Sequence, residues 1–116
     1  MLKIQFFGRV LSILVLAVIL VACAQFPDAA GEPVWIDVRT VAEYDEDHID
    51  NDLNIPLNTI DIDQFSSMFD KDDEINLYCR SGNRAGQAKN ILEAAGFTNV
   101  NNMGGIDEVR ILRGLP

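Results

Sequence analysis

The chain has 116 residues, of which 48% are apolar and 23% charged, with 8 Gly, 4 Pro, 2 Cys and 1 His. This length suits one ordinary domain and excludes a two-domain dinucleotide enzyme, a TIM barrel or a long repeat array. From Cys23 onward 7 basic residues stand against 18 acidic ones, a net charge of −11, so the chain repels phosphate backbones and we expect no nucleic-acid partner.

The first 22 residues have the layout of a secretory signal. Residues 1–9 carry Lys3 and Arg9, residues 10–22 are almost wholly apolar and uncharged, and small residues and Cys23 follow. The apolar centre is shorter than the roughly 20 residues that a membrane-spanning helix needs. The uncharged stretch continues to Pro27, however, which leaves an uncleaved N-terminal anchor as an alternative. We therefore predict an exported protein with a signal peptide at residues 1–22.

The end of this signal carries a more specific motif. Leu20-Val21-Ala22-Cys23 resembles the lipobox of bacterial lipoproteins. The resemblance implies that Cys23 is the lipid attachment site and that the lipid tethers the protein to a membrane of the cell envelope, facing the periplasm or extracytoplasmic space. The alternative is that Cys23 belongs to the signal and is lost by cleavage at Ala24 or later. Residues 23–33 are then a flexible tether, and residues 34–116 the folded domain.

Residues 34–116 alternate between short apolar strands and helical segments. Strands are predicted at 34–38, 53–56, 75–78 and 97–101, and helices at 40–47, 59–69, 84–95 and 106–112. Thr40 and Glu43 have the spacing of a capping box, and Gly96 suits the end of the third helix. The alternation predicts a parallel sheet covered on both faces. In such a sheet ligands bind beyond the carboxyl ends of the strands, so candidate chemistry belongs just after residue 78.

That position holds the loop Cys79-Arg80-Ser81-Gly82-Asn83-Arg84. The N-terminus of the following helix presents free N–H groups. A glycine-containing loop of this kind can form an anion-binding nest from its backbone N–H groups. Arg80 and Arg84 add a local region of positive charge. Each effect favours a thiolate, so we expect a lowered pKa for Cys79. The alternative is an inert structural cysteine. It fits poorly because such loop residues do not make a burying environment. An unpaired thiol in an oxidising compartment is also a liability unless it is buried or used.

This loop resembles the active-site loop of rhodaneses, the thiosulfate sulfurtransferases. The resemblance extends to two further signatures. The first lies near the start of the domain and consists of Asp37-Val38-Arg39, Glu43-Tyr44, His48-Ile49 and Asn54-Ile55-Pro56. The second lies near the end of the domain and consists of Gly104-Gly105 and Gly114-Leu115-Pro116. The chain is most similar to the small exported single-domain members. The resemblance implies a three-layer α/β/α fold with a five-stranded parallel sheet and a persulfide on Cys79. It also implies substrate binding by Arg80, Ser81, Gly82, Asn83 and Arg84.

Two positions depart from the family pattern. Asn51-Asp52 stands where the family usually has Gly-Ala, and Val109 where many members have Trp. Asparagine tolerates a left-handed backbone, so we expect the turn at residue 51 to survive. The loop also differs from that of protein tyrosine phosphatases, because four residues rather than five separate Cys79 from Arg84. The shorter nest suits one sulfur atom better than a tetrahedral phosphate.

The expected reaction is a two-step nucleophilic transfer. Cys79 takes the outer sulfur of thiosulfate or another sulfane donor, and the persulfide passes it to cyanide or a thiol acceptor, with no metal or organic cofactor. One His and two Cys also leave few ligands for a zinc site. One alternative is a persulfide carrier with little intrinsic turnover. Another is a thiol–disulfide oxidoreductase, which usually needs a resolving cysteine that this chain lacks beside Cys79.

Other residues near the predicted site have structural explanations. Asp37 either orients a loop arginine in support of the site or caps the turn that follows it, and the sequence leaves both open. We expect Arg39 to form a structural ion pair and His48 to lie in a structural turn rather than act as a general base. We expect Trp35 to belong to the core and the acidic residues 43–52 to form a solvated surface.

Overall fold

The computed structural model describes residues 31–116; the predicted signal, Cys23 and most of the predicted tether lie outside them. The strands are β1 (Val34–Asp37), β2 (Leu53–Asn54), β3 (Ile75–Cys79) and β4 (Val100–Gly105). The helices are α1 (Val41–Glu46), α2 (Ile62–Met68), α3 (Asn83–Ala94) and α4 (Ile106–Arg113). In this part of the chain, no helix has the length and apolar character needed to cross a membrane.

The four strands form one parallel sheet in the order β2-β1-β3-β4. The expected fifth strand is therefore wrong for residues 31–116. The three residues ahead of β1 that the structure describes do not join the sheet, and one of them is Pro33, which has no N–H to donate to a ladder. The strands that follow in the described residues are β2, β3 and β4. The sheet thus has β1 and β3 at its centre.

Helices cover both faces of the sheet, as predicted. On one face α2 and α3 pack over the first core, which consists of Ile36, Val38, Phe65, Ile75, Leu77, Cys79, Ala85, Ala88, Leu92, Phe97 and Val100. On the other face α4 packs over the second core, which consists of Ile49, Tyr78, Ile106 and Val109, with Trp35 and Met103 against it. Successive residues of a strand point to opposite faces, so β3 supplies both cores. Val109 is fully buried in the second core, at the position where many family members have Trp.

Local signals in the sequence correctly predicted several turns and helix ends. The Thr40 side chain accepts a bond from the Glu43 N–H at 3.2 Å, and the Glu43 carboxylate accepts one from the Thr40 N–H at 3.3 Å. Gly96 ends α3 with a φ of +97°. Asn51 has a φ of +70°, so the left-handed turn survives without glycine.

Some element boundaries differ from the prediction. Only two residues of the predicted strand 53–56 pair with β1. Helix α2 begins later than residue 59, because the Asp61 side chain accepts the Gln64 N–H at 3.1 Å and caps the helix there. Strand β4 also begins later, since the Thr98 N–H donates to the Lys71 carbonyl at 2.8 Å and ties that segment to a turn outside the sheet.

Asp52, which replaces a usual alanine, forms a buried polar network with the second core. Its Oδ2 accepts bonds from the Tyr78 hydroxyl and from Arg113 Nη1, each at 2.7 Å, and its side chain is 3% exposed. The Arg113 guanidinium also lies 4.2 Å from the centre of the Trp35 ring. Burial and the bond to Asp52 raise the pKa of Tyr78, which therefore stays neutral. The network fastens the last turn of α4 to β3.

We expect Asp52→Ala to lower the free energy of unfolding by about 3 kcal/mol, because it leaves the Tyr78 hydroxyl and the Arg113 guanidinium without their acceptor. Urea denaturation monitored by circular dichroism measures the change. Asp50→Ala is the matched control, since the Asp50 side chain is 90% exposed, and its effect should stay within about 0.5 kcal/mol. Equal stability of the two variants would show that the network contributes nothing.

Candidate active site

The loop that follows β3 surrounds the sulfur of Cys79 with main-chain donors. The Gly82 N–H donates to Cys79 Sγ at 2.9 Å. Gly82 begins α3 with a φ of +97°, a left-handed conformation that glycine adopts at little cost. A side chain on Gly82 would also crowd the backbone of Gly104, at 3.2 Å from its Cα. Glycine at this position therefore lets the loop fold tightly around the sulfur.

The pKa of Cys79 is lowered, in the direction that the sequence predicts. Burial is the largest influence and raises it, but hydrogen bonds from the backbone N–H groups of Ala85, Ser81, Gly82 and Arg84 together outweigh burial. These donors stabilise the thiolate because they lie at the free N-terminal end of α3. The arrangement favours a nucleophilic sulfur.

Cys79 is more buried than the loop composition predicts. The residue is 1% exposed and belongs to the first core. The expectation that this loop does not bury a thiol is therefore wrong. Its polar side chains at Arg80, Ser81 and Asn83 are exposed, while the main chain encloses the sulfur. The sulfur is thus buried on one side by core packing and capped on the other by amides.

The two loop arginines share one carboxylate, that of Glu43. Arg84 donates from Nη1 to Glu43 Oε1 at 2.6 Å and from Nη2 to Oε2 at 3.0 Å. Arg80 Nε lies 3.3 Å from the same Oε2. The bond from Arg84 is the largest influence on Glu43, and it lowers the carboxyl pKa to about 2. The positive charge predicted for the loop is therefore partly neutralised by Glu43, which the sequence analysis placed in a helix cap and in a family signature but not in the site.

The pKa of Arg84 is raised, and the hydrogen bond to Glu43 is the largest cause. Burial opposes this shift, and the charge of the Cys79 thiolate adds to it. Two anionic groups, the Glu43 carboxylate and the Cys79 thiolate, therefore favour the charged form of Arg84.

The end of β4 supports the loop from the neighbouring strand. Asn102 Nδ2 donates to the Gly82 carbonyl at 2.9 Å, and Asn102 Oδ1 accepts the Gly104 N–H at 3.0 Å. A Cβ on Gly105 would overlap the carbonyl oxygen of Arg80. Sequence reasoning missed Asn102 because the predicted strand ended at residue 101. It matched Gly104-Gly105 to a family signature without finding the contact with the loop.

Asp37 binds Arg39, and among the described residues it makes no ion pair with a loop arginine. Its Oδ1 accepts the Arg39 N–H at 2.9 Å, and Oδ2 accepts from Arg39 Nη2 at 2.7 Å. Arg39 Nη2 also donates to the Asp47 carbonyl at 2.7 Å. Of the two roles that the sequence left open for Asp37, the structure shows the cap of the turn that follows it, because Asp37 accepts the Arg39 N–H. The predicted structural ion pair of Arg39 is confirmed.

His48 lies in a structural turn, as expected. Its Nδ1 lies 2.9 Å from the Tyr44 carbonyl oxygen, and its ring stacks on the Tyr44 ring with centroids 4.1 Å apart.

The acidic residues 43–52 are a solvated surface only in part. Asp47, for example, pairs with Arg110 at 2.7 Å and so connects this segment to α4.

An open cleft of about 260 Å³ adjoins the loop at Arg80. Its lining carries two arginines and four acids, together with Ile106: Arg39, Arg80, Glu43, Glu46, Asp47 and Asp107. The lining of this cleft is therefore mostly polar, with four acidic residues and two arginines.

The lowered pKa of Cys79 predicts the pH range of its reactivity. A thiol with a depressed pKa stays ionised as the pH falls below the ordinary value of about 8.5. We expect the thiolate absorbance of the folded protein to show a midpoint below that value, and the unfolded protein to show the ordinary midpoint. Coincident midpoints in the two states would contradict the stabilisation of the thiolate by the loop amides.

The fold and the loop define a class before any comparison: a parallel α/β domain with a solitary thiolate held by main-chain donors at the carboxyl edge of its central strand. Residues 24–111 match the rhodanese-like domain, and the chain belongs to that family.

Individual relatives agree with this assignment. The chain is 39% identical over 75 residues to the thiosulfate sulfurtransferase PspE of Escherichia coli strain K12. The matched region covers 65% of this chain and 72% of PspE. It is also 32% identical over 68 residues to YrkF of Bacillus subtilis strain 168, which is provisionally named a sulfur carrier protein. That match covers 59% of this chain and 36% of YrkF. A solved structure described as a rhodanese with anions from E. coli is 35% identical, with a TM-score of 0.63, and covers 73% of this chain and 95% of that one.

Proposed function

We propose that this protein is a sulfurtransferase that moves the sulfane sulfur of thiosulfate through a persulfide on Cys79 to cyanide or a thiol acceptor. One observation carries the proposal: a lone sulfur lies at the start of α3 with the Gly82 N–H at 2.9 Å. The lowered pKa of this thiol gives the nucleophile that such a transfer needs. The similarity to PspE supports thiosulfate as the donor.

In the first step the Cys79 thiolate attacks the outer sulfur of thiosulfate. A new S–S bond forms, the S–S bond of thiosulfate breaks, and its electron pair leaves with sulfite. The loop N–H groups and the Arg84 guanidinium stabilise the negative charge on the leaving group. We assign Arg80, Ser81, Gly82, Asn83 and Arg84 as the substrate-binding residues.

In the second step the acceptor attacks the outer sulfur of the persulfide. Its bond to that sulfur forms as the persulfide bond breaks, and Cys79 returns to the thiolate. The two steps balance without a metal or an added oxidant or reductant. They predict ping-pong kinetics, because sulfite leaves before the acceptor reacts.

A persulfide carrier with little turnover is the second candidate. The similarity to YrkF supports it. A carrier would take sulfur from a donor protein and release it only to a partner.

A steady-state assay with thiosulfate and cyanide, combined with the intact mass of the protein after thiosulfate treatment, distinguishes these candidates. Thiocyanate production together with the added mass of one sulfur atom supports the enzyme. Loading of one sulfur without turnover supports the carrier. A protein that neither gains the mass nor produces thiocyanate would overturn the enzyme. If Cys79 also gains no sulfur from a protein persulfide donor, the carrier is overturned as well.

We propose in addition that residues 1–22 are a lipoprotein signal, residues 23–33 a tether and residues 34–116 the working domain. Cys23 then carries the lipid and holds the domain at a membrane of the cell envelope, facing the periplasm or extracytoplasmic space. Mass spectrometry of the mature N-terminus tests this. A lipidated Cys23 supports the anchor, and a chain that begins at Ala24 or later overturns it.

A further inference from the structure

Glu43 occupies the groups with which the loop would bind a dianion. Both terminal nitrogens of Arg84 donate to its carboxylate, at 2.6 and 3.0 Å. The Glu43 side chain is 18% exposed and that of Arg84 31%, so the pair is partly shielded from solvent. A dianionic donor that needs the Arg84 guanidinium has to compete with a carboxylate already in place.

The charge balance of the site also disfavours a dianionic donor. The two loop arginines are offset by the Glu43 carboxylate and the Cys79 thiolate, so the resting site is close to neutral. In the adjoining cleft Asp47 and Asp107 pair with Arg110, so among the described residues Glu46 adds the unpaired carboxylate. A dianion therefore enters a site with no excess positive charge, whereas a singly charged donor depends less on that charge.

We propose that Glu43 is a specificity-determining residue that favours sulfane donors of low charge, the persulfides of neutral thiols, over dianionic thiosulfate. The inference rests on the sulfurtransferase function proposed above. Thiosulfate remains a usable donor, but its binding is weakened because Glu43 holds Arg84. Glu43 acts through Arg84 and is not itself in contact with the reacting sulfur.

Glu43→Gln isolates the charge. The glutamine amide oxygen still serves the capping box with Thr40, so α1 keeps its N-terminal cap. We expect the KM for thiosulfate to fall by about fivefold, the scale of one partly exposed ion pair, with kcat within about twofold. With the persulfide of 2-mercaptoethanol, which carries a single negative charge at neutral pH, kcat/KM should stay within about twofold.

Glu46→Gln is the matched control. It removes the same charge from the same cleft, and among the described residues Glu46 makes no ion pair. We expect its KM for thiosulfate to change by less than about twofold. An unchanged or higher thiosulfate KM in Glu43→Gln would overturn the inference. So would an equal decrease in Glu46→Gln, because net charge alone would then explain the effect.

Binding of inorganic sulfate gives a readout that needs no turnover. Titration of sulfate, followed by the amide NMR signals of Gly82 and Arg84, should give about fivefold tighter binding to Glu43→Gln than to the wild type. Equal dissociation constants would overturn the inference even if thiosulfate turnover is observed. If the wild type shows no turnover and no sulfur loading, the proposed function fails, and the sulfate constants still decide the role of Glu43.

Discussion

Cys79→Ser should abolish sulfur transfer, with kcat falling by about a thousandfold or more. Serine has nearly the same size, so the buried position stays filled and the fold is retained. A hydroxyl has a far higher pKa than a thiol, however, and it cannot accept a sulfur atom to form a persulfide. Thiocyanate production and the intact mass after thiosulfate treatment measure the two losses.

Gln87→Ala, an exposed position on α3, provides the control for this variant. Its activity and its sulfur loading should match those of the wild type. Sulfur loading or turnover that persists in Cys79→Ser would contradict the assignment of Cys79, because the sulfur would then be carried elsewhere on the chain.

Gly105→Ala should lower kcat/KM by about a hundredfold. The added Cβ would overlap the Arg80 carbonyl oxygen, which belongs to the loop backbone and cannot simply rotate away. The loop has to shift, and a displacement of about 1 Å at a reacting centre costs roughly that factor. The thiolate titration of Cys79 should move toward the ordinary thiol value, because the amides no longer point at the sulfur.

Gly86→Ala is the matched glycine variant. A Cβ there would lie 3.4 Å from Asn102 Nδ2, an ordinary contact, and Gly86 lies inside α3. We expect its activity to stay within about twofold and its unfolding free energy to rise by about 0.5–1 kcal/mol, since alanine favours a helix. If Gly105→Ala keeps its activity while Gly86→Ala loses it, the contact between β4 and the loop does not position the site.

The parts of the fold that the sequence predicted depend on local patterns. The capping box at Thr40, the left-handed Asn51 and the strand–loop–helix around Cys79 each depend on neighbours within a few residues. The lowered pKa of Cys79 follows from the same local geometry, because the donors come from the helix that starts next to it.

The features that the sequence did not predict join distant positions. Glu43 and Arg84 are 41 residues apart, and Asn102 and Gly82 are 20 apart. Glu43 already had a local role as a cap, and its place in the family signature did not identify Arg84 as its second partner. The five-stranded sheet was expected from the family resemblance alone, while the residues themselves predicted the four strands that residues 31–116 contain.

The depth of Cys79 has a consequence for how copies of the protein behave together. Two cysteines join in a disulfide only when their Cα atoms lie within about 7 Å. Because Cys79 is 1% exposed beneath its loop, two folded domains cannot bring their Cys79 residues that close. The loop whose amides favour the thiolate therefore also protects it from covalent dimerisation through Cys79 in oxidising surroundings.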